Sequence, residues 1–117
     1  GLLLGGFSQG AMLSLDVALH SDRKLAGLLL MSGTLIAENE WRSRFPSRAG
    51  LPIFMSHGTE DPLLPYPIST ELAGLLRDAG ACVDTCWFPG GHEIPPIVIS
   101  QSSRFLSDSL AKFAPGR

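Results

Sequence analysis

The stretch Gly1-Leu2-Leu3-Leu4-Gly5-Gly6-Phe7-Ser8-Gln9-Gly10-Ala11-Met12-Leu13 decides the fold. Its first half is apolar without alternation, the pattern of a strand covered on both faces in a parallel sheet. From about Gln9 to His20 the chain reads as a helix. Met12, Leu13, Leu15, Val17, Ala18 and Leu19 leave it little polar face, so it is expected to be largely buried. Between strand and helix, Gly6-Phe7-Ser8-Gln9-Gly10 fits G-x-S-x-G in the strand–turn–helix setting that motif requires. A turn sharp enough to lift Ser8 above a sheet leaves no room for side chains two residues to either side, which predicts Gly6 and Gly10. Ser8 then stands at a helix N-terminus, where unpaired backbone N–H groups favour developing negative charge. A plain N-cap serine after a glycine turn fits the same five residues.

Three more apolar runs follow: Leu25 to Met31, Pro52 to Ser56, and a more alternating one from Ala81 to Phe88. Between the last two, Ile68, Leu72, Leu75, Leu76 and Ala79 form one face of an amphipathic helix, with Pro67 in its first turn and Gly80 placed to stop it. Val98, Phe105, Leu106 and Leu110 predict a terminal helix from Pro96 to Phe113, and Thr34 to Gly50 is expected to be irregular. Strands alternating with helices imply an α/β fold with a parallel sheet. Ligands of such sheets sit beyond the carboxyl ends of the strands, so the polar residues just after each apolar run matter most.

Composition narrows the function. The chain has 117 residues, room for one domain, with 9 Lys plus Arg against 11 Asp plus Glu and a formal net charge of −2. That balance argues against a nucleic-acid partner. No apolar run approaches the ~18 residues of a membrane span, so no stable membrane insertion is expected. Cys82 and Cys86 lie roughly 13 Å apart in a strand at ~3.3 Å per residue, too far to bridge, which fits a reducing, cytoplasmic setting. The chain opens with Gly inside an apolar run. It is therefore expected to be the C-terminal portion of a longer protein.

Ser8, Asp61 and His92 each fall in a loop after an apolar run, in the chain order Ser…Asp…His expected of α/β-hydrolases. A serine hydroxyl needs a base, and the base an orienting acid, so three such placements support one another. His57, directly after the third strand, fits packing or hydrogen bonding beneath the site as well as the role of a rival base, and Glu60 is a rival acid beside Asp61. His20 closes a helix, where it meets the negative end of the dipole, and Asp16, Asp78 and Asp108 are expected on solvated helix faces. Trp41 and Leu64 are the expected substrate-binding side chains, with core packing the competing role for Trp41 and Phe45. There is no metal-spaced Cys/His cluster, phosphate loop or dinucleotide fingerprint, so no cofactor is expected.

Gly5-Gly6-Phe7-Ser8-Gln9-Gly10, His57-Gly58 followed by Asp61-Pro62 and Pro65, and Gly90-Gly91-His92 resemble the phospholipase/carboxylesterase family that includes the acyl-protein thioesterases. The resemblance covers essentially the whole chain. It implies the C-terminal half of an α/β-hydrolase, with about four parallel strands and flanking helices. It also implies Ser8 as nucleophile, Asp61 as acid, His92 as base and the Gln9 backbone N–H as one oxyanion donor. The implied activity is hydrolysis of carboxylic esters or acyl thioesters through an acyl-enzyme, on a small-molecule or lipid-like substrate and without a cofactor. A peptidase or lactone hydrolase on the same fold, or a non-catalytic α/β module, are the alternatives. Ala11 departs from a frequent family Gly, and Glu93-Ile94-Pro95 is similar to bacterial esterases. The resemblance further implies an upstream half with the first strands and the loop that gives the second oxyanion N–H.

Overall fold

A computed structural model describes residues 2–33 and 38–113. The elements alternate as the sequence pattern predicts: β1 (Leu2–Phe7), α1 (Gln9–His20), β2 (Leu25–Met31), α2 (Glu38–Arg44), β3 (Pro52–Gly58), α3 (Tyr66–Asp78), β4 (Cys82–Phe88) and α4 (Pro96–Phe113). The four strands form one parallel sheet in the order β1-β2-β3-β4. With every strand pointing the same way, all four carboxyl ends open on one edge of the sheet.

Side-chain alternation divides the core. Leu28 and Leu30 of β2 and Ile53 and Met55 of β3 face α1, Trp41, Phe45 and α3, while Leu29 and Phe54 face Val98 and Phe105 of α4. β2 and β3 are thus buried on both faces, which explains their unbroken apolar runs. β1 behaves differently from the expectation of a strand covered on both faces. Among the described residues it pairs only with β2; Leu3 and Leu4 are half-buried and Gly5 is exposed. The expectation for α1 is also corrected. It packs inward through Ala11, Leu15, Ala18 and Leu19, whereas Leu13 and Val17 point outward and are 64% and 52% exposed. Spacing, not average hydrophobicity, decides which face a helix buries.

The stretch expected to be irregular holds α2 and a 3-10 turn, Phe45–Arg48. Its residues Thr34 to Ala37 lie outside the described residues. Trp41 and Phe45, four residues apart, plug the core while Arg42 and Arg44 stay exposed. Arg48 ties this segment to the end of α1: Nε donates to Ala18 O (2.7 Å), Nη1 to Arg23 O (2.8 Å) and Nη2 to Ser21 O (2.7 Å). A guanidinium there satisfies carbonyls that the helix cannot and sits at the negative end of its dipole. α3 ends as the sequence predicts, with Gly80 at φ 98° and the Ala81 N–H bonded back to Leu76 O.

Candidate active site

The turn between β1 and α1 is held in an unusual conformation. Ser8 has φ 59° and ψ −118°, a left-handed region that non-glycine residues rarely adopt. Its own N–H donates to Met31 O at the end of β2 (2.8 Å), and its carbonyl accepts from Ala11 N (3.0 Å) and Met12 N (3.2 Å). Gly6 is required as predicted, because a Cβ there would overlap the Gly10 backbone and lie 2.8 Å from Ala11 N. The matching argument for Gly10 fails: a Cβ there meets nothing within 4 Å, because it projects from the first turn of α1 into open space. The turn leaves the Ser8 Oγ over the sheet edge. Gln9 opens α1, so its N–H is among those the helix does not use.

β3 runs two residues past its apolar core, through buried His57 and Gly58, before the acid loop begins. Gly58 meets the next loop backbone to backbone, since a Cβ at that position would overlap the carbonyl oxygens of Gly90 and Gly91. Thr59 N and Glu60 N complete the junction with bonds to Phe88 O and Gly90 O, 2.9 Å each. Within the loop, Asp61 Oδ1 accepts from Leu63 N (2.8 Å) and Leu64 N (2.9 Å). Its Oδ2 lies 2.7 Å from His92 Nδ1, and His92 Nε2 lies 2.9 Å from Ser8 Oγ. Phe7 packs on the same imidazole with ring centroids 4.7 Å apart. Three side chains from three strand ends thus form one hydrogen-bonded chain, and the tautomer it requires has the proton on Nδ1, facing the carboxylate.

Burial alone would push the Asp61 carboxyl up. The bonds from Leu64 N, His92 and Leu63 N, with the attraction of the His92 ring, outweigh it and hold it below the ordinary carboxylate value. Among the described residues, no group of three or more His, Cys, Asp or Glu is gathered to hold a metal ion. No helix among them is long and apolar enough to cross a membrane.

A sequence profile described as phospholipase/carboxylesterase matches residues 1–110. The chain belongs to the phospholipase/carboxylesterase family. It is similar to acyl-protein thioesterase 1 of Neurospora crassa, 32% identical over 97% of this chain and 48% of that protein. It is likewise similar to acyl-protein thioesterase 1 of Gibberella zeae, 35% identical over 93% and 48%. Among solved structures it resembles esterase PE8 (TM-score 0.83, 27% identity, 92% of this chain and 50% of that one). It also resembles SOBER1 of Arabidopsis thaliana (TM-score 0.82, 27% identity, 92% and 52%). The chain spans about half the length of the curated relatives it matches.

In this phospholipase/carboxylesterase chain, Ser8, Asp61 and His92 come together, and Glu60 and His57, the rival acid and base, do not reach the positions proposed for them. Glu60 is exposed. His57 is buried beneath the acid loop, with Nε2 2.7 Å from Leu64 O. Trp41 is corrected as a substrate-binding residue: it is 0% exposed, and its indole N–H donates to Asp16 Oδ1 (2.8 Å). A buried indole needs a partner for that N–H, and the helix carboxylate supplies one; Phe45 is core as well. Leu64 is half-buried and tied to the acid loop through its backbone N–H and C=O. Sequence reasoning missed the ring of Phe7 on His92; hydrogen bonding of His57 beneath the site was among its readings, but Leu64 as the partner was not. A surface cleft of about 420 Å³, lined by Lys24, Ser47, Arg48 and Pro52 among others, lies at the amino-terminal strand ends and touches none of the three residues.

Two substitutions test the turn. Gly6→Ala is expected to displace Ser8 and abolish its labelling by a fluorophosphonate probe. Gly10→Ala should be tolerated, with a gain of about 0.5–1 kcal/mol from helix propensity. Equal effects of the two on labelling and urea unfolding would refute this account.

A third concerns acid stability. A carboxyl held below its unfolded value contributes stability that is present above about pH 4 and lost as pH falls through the folded value. The stability gap between the native chain and Asp61→Asn should therefore close on acidification below about pH 4. A gap that persists unchanged as the pH is taken well below that value would show that the ionised form is not favoured by folding.

Proposed function

We propose that this chain carries the catalytic triad of a serine hydrolase acting on carboxylic esters or acyl thioesters. The observation that carries the reading is the continuous pair of contacts Ser8 Oγ–His92 Nε2 (2.9 Å) and His92 Nδ1–Asp61 Oδ2 (2.7 Å). His92 Nε2 takes the hydroxyl proton as Ser8 Oγ attacks the acyl carbonyl carbon, and the carbonyl electron pair moves onto oxygen. Asp61 holds the ring in the correct tautomer and stabilises the imidazolium that forms. The Gln9 N–H, at the positive end of α1, stabilises the oxyanion. The imidazolium then gives its proton to the leaving alcohol or thiol, and water releases the acyl group from Ser8 by the same steps reversed. The names of the relatives support ester or thioester substrates. Small or lipid-like acyl groups fit this chemistry.

The chain is further proposed to be the C-terminal part of an α/β-hydrolase domain, with an upstream segment pairing along the open side of β1 and giving the second oxyanion N–H. Support comes from the side of β1 that pairs with no strand among the described residues, from exposed Leu13 and Val17, and from the half-length overlap with relatives. An exposed apolar edge invites aggregation. Supplying the upstream segment together with this chain should raise soluble yield, and a yield unchanged by it would count against the pairing.

In the intact protein, Ser8→Ala and His92→Ala are each expected to lower ester hydrolysis by roughly 10³-fold or more, and Asp61→Asn by roughly 10²–10⁴-fold. Activity should rise with pH as the base loses its proton, and EDTA should leave it unchanged. An EDTA-sensitive activity restored by zinc would point to a metallohydrolase instead.

A further inference from the structure

The strand that delivers the acid ends on a buried histidine that takes no part in the steps above. His57 is 0% exposed, a costly place for an imidazole unless its polar atoms are used. One of them is. Nε2 lies 2.7 Å from Leu64 O, which fixes the proton on Nε2, since a carbonyl oxygen can only accept. The same nitrogen lies 3.3 Å from Asp61 Oδ2, the oxygen that also receives His92 Nδ1. Nδ1, left as an acceptor, has no hydrogen-bond partner among the described residues.

These contacts close a ring. Leu64 donates its N–H to Asp61 Oδ1 (2.9 Å), its carbonyl accepts from His57 Nε2, and that N–H leans on Asp61 Oδ2. Both oxygens of the carboxylate are thereby tied, through one residue of the loop and one of the strand, to the rigid end of β3. At 2.7 Å the bond to Leu64 is the stronger branch; at 3.3 Å the approach to Oδ2 is the weaker one.

We propose that His57 is a positioning residue for the Asp61–His92 pair. Through Leu64 it fixes the plane of the Asp61 carboxylate, and through its Nε2–H it withdraws part of the charge on Oδ2 that His92 faces. This rests on the triad reading above. Of the other titratable groups on the surrounding elements, Tyr66 of α3 packs its ring at 6.4 Å from that of His57, Glu60 and Glu93 are exposed in the two loops, α3 also carries Glu71, Arg77 and Asp78, and β4 carries Cys82, Asp84 and Cys86. Among the described residues none of these bonds to either oxygen of Asp61.

The sign of the charge effect separates positioning from mere packing. Without the Nε2–H, Oδ2 carries more negative charge and favours the imidazolium of His92. The acid limb of the pH–rate profile then moves to higher pH. A loss of packing alone lowers stability and leaves the limb in place.

The test is the rate of fluorophosphonate labelling of Ser8 across pH in the intact protein, for the native enzyme, His57→Leu and His57→Gln. Labelling should slow on the order of 10²-fold in His57→Leu, with the acid limb shifted upward, because small misplacements of a catalytic pair cost about that much. Gln places an amide N–H near the position of Nε2, so His57→Gln should recover at least about tenfold of the loss and much of the limb's position. Should His57→Leu fail to fold, a folded His57→Gln labelled near the native rate supports the proposal. One slowed on the order of 10²-fold overturns it, as does a His57→Leu with native rate and limb. A native protein whose Ser8 is not labelled at all overturns the triad reading itself, so the two failures are distinguishable.

Discussion

The Asp61 carboxylate can hold the His92 imidazole only because the backbone at Gly90 and Gly91 lies directly on Gly58, closer than any side chain there would permit. That contact fixes two loops that leave neighbouring parallel strands, and the hydrogen bonds from Thr59 and Glu60 to Phe88 and Gly90 lock it in place. The 2.7 Å bond between Asp61 and His92 follows from this docking, as does the placement of the other imidazole nitrogen toward Ser8. Close backbone approach of this kind is a steric condition, and it is met by glycine because glycine has no Cβ.

The serine side of the site depends on a different support. α1 must lie on the sheet at a fixed height for the turn at Ser8 to keep its strained φ. Its inner face is built of small and branched apolar residues, Ala11, Leu15, Ala18 and Leu19. Its far end is gripped by Arg48, while Trp41, bonded to Asp16, fills the space beside it. Arg48 and Trp41 therefore support the site from a distance, by holding the helix that follows the turn at Ser8. Two aromatic residues that look suited to an acyl surface are consumed by this task.

The acid loop shows how a buried polar residue is tolerated. His57 stands where the strand interior would favour an apolar side chain, and its bond to Leu64 offsets much of the desolvation cost. The loop that it braces is the one that must present a carboxylate with both oxygens occupied.

By itself the sequence determined the alternation of strands and helices, their parallel pairing, the glycine-dependent turn at Ser8 and the loops in which Asp61 and His92 lie. All of these rest on local rules: periodicity along an element, chain reversal at glycine and proline, and the position of a polar residue after an apolar run. It also carried the resemblance that names the family. Only the tertiary structure decided which carboxylate meets which imidazole, since Ser8 and His92 are 84 residues apart and their contact depends on sheet order and loop docking. The burial of Trp41, the outward face of α1 at Leu13 and Val17, the open space beside Gly10 and the bond of His57 to Leu64 were likewise settled there. Each depends on which surfaces are brought together across the chain, and a one-dimensional pattern of hydrophobic and polar residues records what a side chain prefers but not which neighbour it meets.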